Sequence, residues 1–261
     1  MFDSTAQATT AQPGAATGRV FDFSPWTHLQ PLTRPAAGSA QAAGGPGILE
    51  RAVALALLAG VSPLLALIAL ALKLESPGGS VFYRQERVGL DRRQHTQANG
   101  ARLRVAKKER RQTPGGGQRF LIWKFRTMIP NAEAVTGPVW AEENDPRVTR
   151  VGRALRTLRF DELPQLLNVV HGTMRLIGPR PERPQFVERL ARAMPEYSRR
   201  HAVPPGITGL AQVQRNYDAS LDDVRTKLKY DLYYVDNRCW MLNVKIVMKT
   251  FDVVFRGRGA H

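Results

Sequence analysis

The chain has 261 residues and carries 38 Lys and Arg against 22 Asp and Glu, a net charge of +16. That length suits one domain of ordinary size plus a tail, and the charge calls for a polyanionic partner such as nucleic acid, anionic lipid or a nucleotide. Its one cysteine, Cys239, excludes an internal disulfide framework, and five scattered histidines without an HxxxH or Cys/His cluster give a zinc centre no support.

Residues 1–47 are rich in Ala, Gly, Thr, Ser and Pro without apolar periodicity, so they are expected to be a disordered tail. Ala52–Leu72 follows, a run of 21 uncharged, mostly apolar residues. A straight helix of that length just covers a hydrocarbon core of about 30 Å. The run starts too late for an ordinary secretory signal and no basic segment leads it. Its middle is Ser62-Pro63. A proline inside a helix removes one hydrogen bond and costs about 3 kcal/mol, and a neighbouring serine hydroxyl can satisfy the carbonyl it frees. Two readings stay open on these residues: a kinked helix that spans, and a segment that breaks at Ser62-Pro63 and leaves by the face it entered. The basic region after Lys73 belongs on the cytoplasmic side in both.

Residues 91–119 are basic, glycine-containing and aperiodic, and read as a solvated inserted loop within reach of lipid head groups. In FDELPQLLNVVHGTMRLIGPRPE, residues 160–182, the spacing of Leu163, Leu166, Leu167 and Val170 predicts a short helix with one face in a core. Pro164 suits its first turn. Asp161 and Glu162 then sit at the helix start, with Arg153, Arg156 and Arg159 just upstream, a place that favours anions. An Asp-Glu pair there is by itself ordinary capping. Pro184–Ala193 reads as a helix with Phe186, Val187, Leu190 and Ala191 on one side. Near the C-terminus Val244, Val247, Met248, Phe251, Val254 and Phe255 form an apolar stripe flanked by Lys245, Lys249, Arg256 and Arg258. An interfacial helix on a membrane and a core-facing amphipathic helix fit that pattern equally.

The 160–182 stretch resembles the signature of the bacterial sugar transferases that load polyprenyl phosphate, the monotopic phosphoglycosyl transferases. Other blocks follow in the same order: SPGGSVFYRQERVG at 76–89, WKFRTM at 123–128, DPRVTRVGRALR at 145–156, PPGITGLAQV at 204–213 and KLKYDLYYVDN at 227–237. The resemblance covers about residues 48–259. It implies an α+β, predominantly helical fold, with a re-entrant membrane hairpin broken at Ser62 and Pro63 (48–74) and interfacial helices around a small cytoplasmic catalytic domain (75–259). It favours the re-entrant reading and a bacterial inner-membrane location facing the cytoplasm.

Phosphoryl transfer needs an in-line nucleophile, charge neutralisation and a placed leaving group. An Asp can attack phosphorus, and Mg²⁺ is usually held by one or two carboxylates plus substrate phosphates. The resemblance implies that Asp161 is the nucleophile and Glu162 the ligand of a Mg²⁺ cofactor. It implies substrate contacts from Lys124, Arg126, Arg156, Arg180 and Arg215, since arginine forks grip phosphate. Gly178, Pro179 and Pro181 form a rigid turn at the nucleotide end, and Asp231 is a candidate carboxylate beside the metal or behind the site. The reaction so implied moves a phosphosugar from a UDP-sugar to polyprenyl (undecaprenyl) phosphate through an aspartyl intermediate, releasing UMP. Expected partners are these two substrates and inner-leaflet lipid, with room for a homodimer and without nucleic acid. GTMRL stands where GDMSL is frequent, and AQVQRN where WQVNGR is frequent; both departures bear on the sugar pocket. A basic, non-enzymatic membrane adaptor would explain the charge and the apolar run. It would not explain the dyad, the arginines and GPRP in this order.

Overall fold

The computed structural model describes residues 45–91, 116–130, 132, 145–214 and 221–255, with side chains to residue 253 in the last stretch. The expected tail up to residue 44, most of the basic insert and Arg215 lie outside the described residues. The fold is mostly helical, with two small two-stranded sheets.

Helix α1, Ile48–Glu75, is 28 residues long, and it alone among the described helices is long and apolar enough to cross a membrane. The expected division at Ser62-Pro63 is absent: helix runs through both residues as one element. Pro63 has no N–H to give the carbonyl four residues back, which is that of Ala59. The Ser62 hydroxyl donates to that Ala59 carbonyl at 2.7 Å, so the freed acceptor is satisfied. One stripe of α1 packs on the rest of the protein on both sides of the proline. Ala54, Leu58 and Val61 meet Ile122, Leu166, Val169 and Met174, while Leu64, Leu65, Ile68 and Leu72 meet Phe125, Leu155 and Phe160. These positions keep the 3.6-residue period from 54 to 72, so the helical phase is not lost at Pro63. The other faces stay exposed and apolar, with Val53, Leu55, Leu57, Leu67, Leu70 and Leu74 uncovered.

Strands β1, Phe82–Val88, and β2, Arg119–Phe125, form an antiparallel hairpin with Tyr83 opposite Lys124 and Val88 opposite Arg119. Helix α2 is Arg150–Thr157. A 3-10 helix over Phe160–Gln165 leads into α3, Leu166–His171. Strand β3, Arg175–Ile177, pairs in parallel with β4, Gly206–Thr208. Between them lie α4, Pro184–Ala193, with the bounds its sequence predicts, and a 3-10 helix over Pro195–Ala202. Helices α5, Leu210–Gln214, α6, Leu221–Asn237, and α7, Trp240–Phe255, complete the chain. Val187 and Leu190 of α4 pack with Val224 and Leu228 of α6 over Val88.

One expectation from periodicity needs correction, and one open alternative narrows. The segment after Asp161 begins as a 3-10 helix, so its buried residues are Pro164, Gln165, Leu166, Asn168 and Val169, while Leu163, Leu167 and Val170 are only partly covered. Tighter winding moves the buried face away from the α-helical stripe. On α7, Leu242 and Ile246 are buried, whereas Val244, Val247, Met248 and Phe251 are exposed with Trp240 and Met241. That apolar stripe therefore does not face the core.

Candidate active site

The dyad is held in place by an asparagine. Asn168 Oδ1 accepts from the Trp123 N–H at 3.0 Å, and its Nδ2 donates to the Leu121 carbonyl at 2.7 Å. One buried side chain thus acts as a third strand along β2 and sets the 3-10 helix against Lys124. From the other side, Thr149 caps α2 by accepting from the Gly152 N–H. A Cβ at Gly152 would stand 2.1 Å from the Thr127 carbonyl oxygen, so glycine is required for α2 to come this close. The approach lets Arg156 Nε donate to Thr127 Oγ1 at 2.9 Å. Between α2 and the dyad, Arg159 adopts φ 60°, ψ 17°, a left-handed conformation that costs a non-glycine residue about 1 kcal/mol or more. It turns the chain so that Asp161 enters the protein, where it is only 8% exposed.

The two carboxylates have opposite surroundings. Glu162 Oε1 accepts from Lys124 Nζ at 2.9 Å and from Arg180 Nη2, and its Oε2 accepts from Arg180 Nη1 at 3.0 Å. Burial works to raise its pKa, but Arg180 and Lys124 overcome it and hold the carboxylate well below the usual glutamate range. Asp161 has no hydrogen bond or ion pair from a described side chain. Burial raises its pKa, the charge on Glu162 adds to this, and Lys124, Arg180 and Arg156 oppose it. Burial likewise lowers the pKa of Lys124 against the pull of Glu162. Adjacent carboxylates pushed in opposite directions mark distinct chemical roles.

Arg180 is itself anchored. Asp231 lies in phase with Val224, Leu228 and Tyr234 on the buried stripe of α6. Its Oδ2 accepts from Arg200 Nη2 at 2.6 Å, and the same nitrogen donates to the Arg180 carbonyl at 2.8 Å. Arg87 Nη1 donates to the Pro181 carbonyl at 3.1 Å, and the Gly206 N–H donates to that of Pro179 at 3.0 Å. The Gly178–Pro181 turn is thereby clamped from β1, β4 and the 3-10 helix over Pro195–Ala202, whose Arg200 is held by Asp231 of α6. Behind Arg180 opens a cavity of about 150 Å³ between α4, α5 and α6.

The structure thus brings together Asp161, Glu162, Lys124, Arg156 and Arg180. Of the three upstream arginines, Arg156 acts on Asp161, while Arg153 and Arg159 are exposed. Arg126 is buried under the end of α1, with Nη2 donating to the Leu72 carbonyl at 3.4 Å and Gly79 against its guanidinium. Asp231 is committed to Arg200 and stands behind Arg180, not beside the dyad carboxylates. Sequence reasoning missed Arg200 and Asn168. The signal for Asn168 was an amide alone in the apolar run LLNVV; for Arg200 there was none, because its partner is 31 positions away (231 − 200).

Among the described residues no three His, Cys, Asp or Glu side chains cluster. A carboxylate offers about four lone-pair directions. Lys124 and Arg180 make three hydrogen bonds to Glu162, two on Oε1 and one on Oε2, which leaves Oε2 an open direction. An ionised carboxylate with one open oxygen, beside the cations of Lys124, Arg156 and Arg180, has the donor chemistry that a hard cation takes.

A family model described as bacterial sugar transferase matches residues 46–114 and 101–257. The UDP-N-acetylgalactosamine-undecaprenyl-phosphate N-acetylgalactosaminephosphotransferase of Aeromonas hydrophila is 42% identical over 216 residues, which are 83% of this chain and 44% of that protein. The UDP-glucose:undecaprenyl-phosphate glucose-1-phosphate transferase of Caulobacter vibrioides is 39% identical over 207 residues, 78% of this chain and 67% of that protein. The exopolysaccharide production protein ExoY of Sinorhizobium fredii is 34% identical over 223 residues, 80% of this chain and 84% of that protein. The chain therefore spans under half the length of the Aeromonas relative and most of the length of ExoY. With its dyad, lysine and arginines inside the matched span, the chain belongs to the bacterial sugar transferase family.

Proposed function

We propose that this protein transfers a phosphosugar from a UDP-sugar to undecaprenyl phosphate, releasing UMP, with Asp161 as the nucleophile. The observation that carries this is the divided dyad: Glu162 is clamped and ionised by Lys124 and Arg180, while Asp161 beside it has no described partner. In the first half-reaction an Asp161 carboxylate oxygen forms a bond to the β-phosphorus and the bond from that phosphorus to the UMP oxygen breaks. Lys124, Arg156 and Arg180 oppose the charge that builds on the phosphate oxygens. In the second, a polyprenyl phosphate oxygen attacks the same phosphorus and Asp161 leaves as carboxylate. Glu162 Oε2 would hold Mg²⁺, whose chemistry is to neutralise the diphosphate. The names of the relatives support this choice of donor and acceptor.

The membrane placement we propose is monotopic, on the inner face of the bacterial cytoplasmic membrane. Glu50, at the start of α1, accepts from Arg175 Nε at 2.8 Å and from the Leu176 N–H at 2.7 Å. At the other end Glu75 accepts from the Val151 N–H at 3.0 Å. Polar groups of one catalytic body, Arg175 and the Leu176 N–H at one end and the Val151 N–H at the other, thus hold the glutamates at both ends of the apolar helix. Were α1 to span, one of those groups would be drawn across hydrocarbon or left on the far side. The exposed stripe of α7 supplies a second lipid contact.

The test is UMP release from a panel of UDP-sugars by membranes carrying the protein, with undecaprenyl phosphate present. At least one donor should release UMP, and phosphosugar trapped by omitting the acceptor should map to Asp161. Release without label on Asp161, or no release from any donor, overturns the reading.

A further inference from the structure

Strand β1 gives the site a wall as well as a clamp. In the antiparallel register Tyr83 stands opposite Lys124 and Arg87 opposite Phe120, so Tyr83, Gln85, Arg87 and Lys124 share one face of the hairpin. Opposed residues have Cβ atoms about 5 Å apart, which sets Tyr83 beside the lysine whose Nζ donates to Glu162. A row of hydrogen bonds along β1 fixes the phenol. Arg87 Nη1 donates to the Pro181 carbonyl at 3.1 Å, and its Nη2 donates to Gln85 Oε1 at 2.6 Å. A guanidinium can only donate, which settles the orientation of the Gln85 amide. Gln85 Nε2 then donates to the Tyr83 hydroxyl oxygen at 3.1 Å. The Tyr83 O–H proton has no acceptor among the described residues, and Tyr83 is 40% exposed. Tyr83 is thus an oriented donor, open to solvent beside Lys124.

The two ends of this wall differ. At one end Val88 is packed with Val187, Leu190 and Val224, and Arg87 holds the turn that carries Arg180. The other end follows α1 after residues 76–81. There Phe82 stacks on Phe125, Phe125 packs against Ile68 and Leu72 of α1, and Leu74 and Phe82 are exposed. A phosphorylated polyprenol keeps its chain in hydrocarbon. Its phosphate therefore approaches the dyad from the α1 end of the hairpin, where Tyr83 stands, while a water-soluble nucleotide is under no such constraint.

We infer that Tyr83, oriented by Gln85, contacts the acceptor: its hydroxyl donates to a non-bridging oxygen of the polyprenyl phosphate in the second half-reaction. The inference rests on the transferase reading for the existence of that step. A second oxygen of the same phosphate forms the bond to phosphorus, and the bond from that phosphorus to the Asp161 carboxylate breaks. Tyr83 keeps its proton throughout and serves to hold the attacking phosphate in line. The donor is cleaved before the acceptor is needed, so the hydroxyl contributes to the second step alone. Gln85 is a positioning residue that acts through it.

Tyr83→Phe tests this, because it keeps the ring at a partly exposed position and removes only the hydroxyl. Rapid-quench kinetics on the full chain in lipid nanodiscs separate the two steps. UMP release without acceptor reports the first, and transfer from the phosphosugar-loaded enzyme to added undecaprenyl phosphate reports the second. In Tyr83→Phe the second-order rate constant for transfer should fall about tenfold to a hundredfold, the effect of one lost hydrogen bond to a charged group, while UMP release keeps its rate. Gln85→Glu keeps an acceptor for Arg87 and offers the Tyr83 proton a carboxylate, so it should slow the same step. Added to Tyr83→Phe it should cost less than it does alone. Unchanged transfer in Tyr83→Phe, the result for a ring that only anchors at the lipid interface, overturns the assignment. So does an equal loss in UMP release, which would put the hydroxyl on the donor. Full additivity of the two substitutions would overturn the orienting role of Gln85. The transferase reading fails separately, as an absence of UMP release by wild type from every UDP-sugar.

Discussion

Asp161 and Glu162 are neighbours in the chain with opposite electrostatic fates, and the difference lies in which side chains reach them. Glu162 faces Lys124 and Arg180 and is held ionised; Asp161 is buried without a described partner and its pKa is raised. A carboxyl whose folded pKa lies above its unfolded value destabilises the fold once pH exceeds the unfolded value, and that penalty is complete above the folded one. Asp161→Asn, which copies the neutral form, should therefore raise the melting temperature at pH 8 and lose that advantage near pH 3. Turnover should fall by about 10³-fold or more. The acid limb of the wild-type pH–rate profile should lie above the ordinary aspartate range, because Asp161 must be ionised to attack. A limb at or below that range would remove burial as the cause. Glu162 has the opposite sign: its depressed pKa contributes stability at neutral pH that is lost as pH falls through the folded value. Glu162→Gln leaves Lys124 and the partly exposed Arg180 without their anion and should cost about 1–3 kcal/mol in denaturant unfolding at pH 7. It should also weaken the Mg²⁺ dependence of activity; a protein that stays fully Mg²⁺-dependent would rule out metal ligation by Glu162.

Among the elements, two polar side chains do work that regular secondary structure leaves undone. Asn168 pairs with the backbone of Trp123 and Leu121 and so carries the dyad to the open edge of β2. Asn168→Ala leaves an N–H and a carbonyl unpaired, each worth about 1–3 kcal/mol when buried. Because the dyad loses its register against Lys124, kcat should fall even at temperatures where the protein remains folded. Full activity in a stable Asn168→Ala protein would show that the 3-10 helix is positioned by other contacts. In α1, Ser62 takes over the hydrogen bond that Pro63 cannot make. With α1 against lipid, as proposed, no water replaces the hydroxyl, and Ser62→Ala should then destabilise the fold by about 1–3 kcal/mol.

On the scale of the whole molecule, α1 is a membrane-length helix that never parts from the catalytic body. Its stripe from Ala54 to Leu72 packs along that body, and Glu50 and Glu75 tie down its two ends. Twenty-eight residues of helix reach about 42 Å, more than a hydrocarbon core of about 30 Å, so length alone permits a span. The contacts at both ends argue against one. In a Cys239→Ser protein, a cysteine introduced near residue 30 should resist an impermeant thiol reagent applied to the periplasmic side of spheroplasts. Replacing Ser62 and Pro63 by leucine, which removes the polar hydroxyl and adds apolar length, should increase labelling. Strong labelling before those replacements would establish a spanning helix.

The chain by itself carried the apolar segment and the bounds of α4, which are local properties: a run of apolar residues and a helical period. The dyad as more than a helix cap, and Lys124, Arg156 and Arg180 beside it, came from the resemblance of ordered motif blocks. Tertiary structure decided the rest. Arg126 and Arg156 look alike in sequence, yet one holds the end of α1 and the other faces Asp161. Asp231 reads as a spare carboxylate until α6 brings it to Arg200. The 3-10 winding at Phe160–Gln165 moves the buried face off the predicted stripe, and helix continues through Pro63 because Ser62 and a packed stripe compensate for the lost bond. Periodicity reports which residues prefer to be buried. It does not report which partner buries them, and for a charged side chain the partner decides whether it binds substrate or holds the fold.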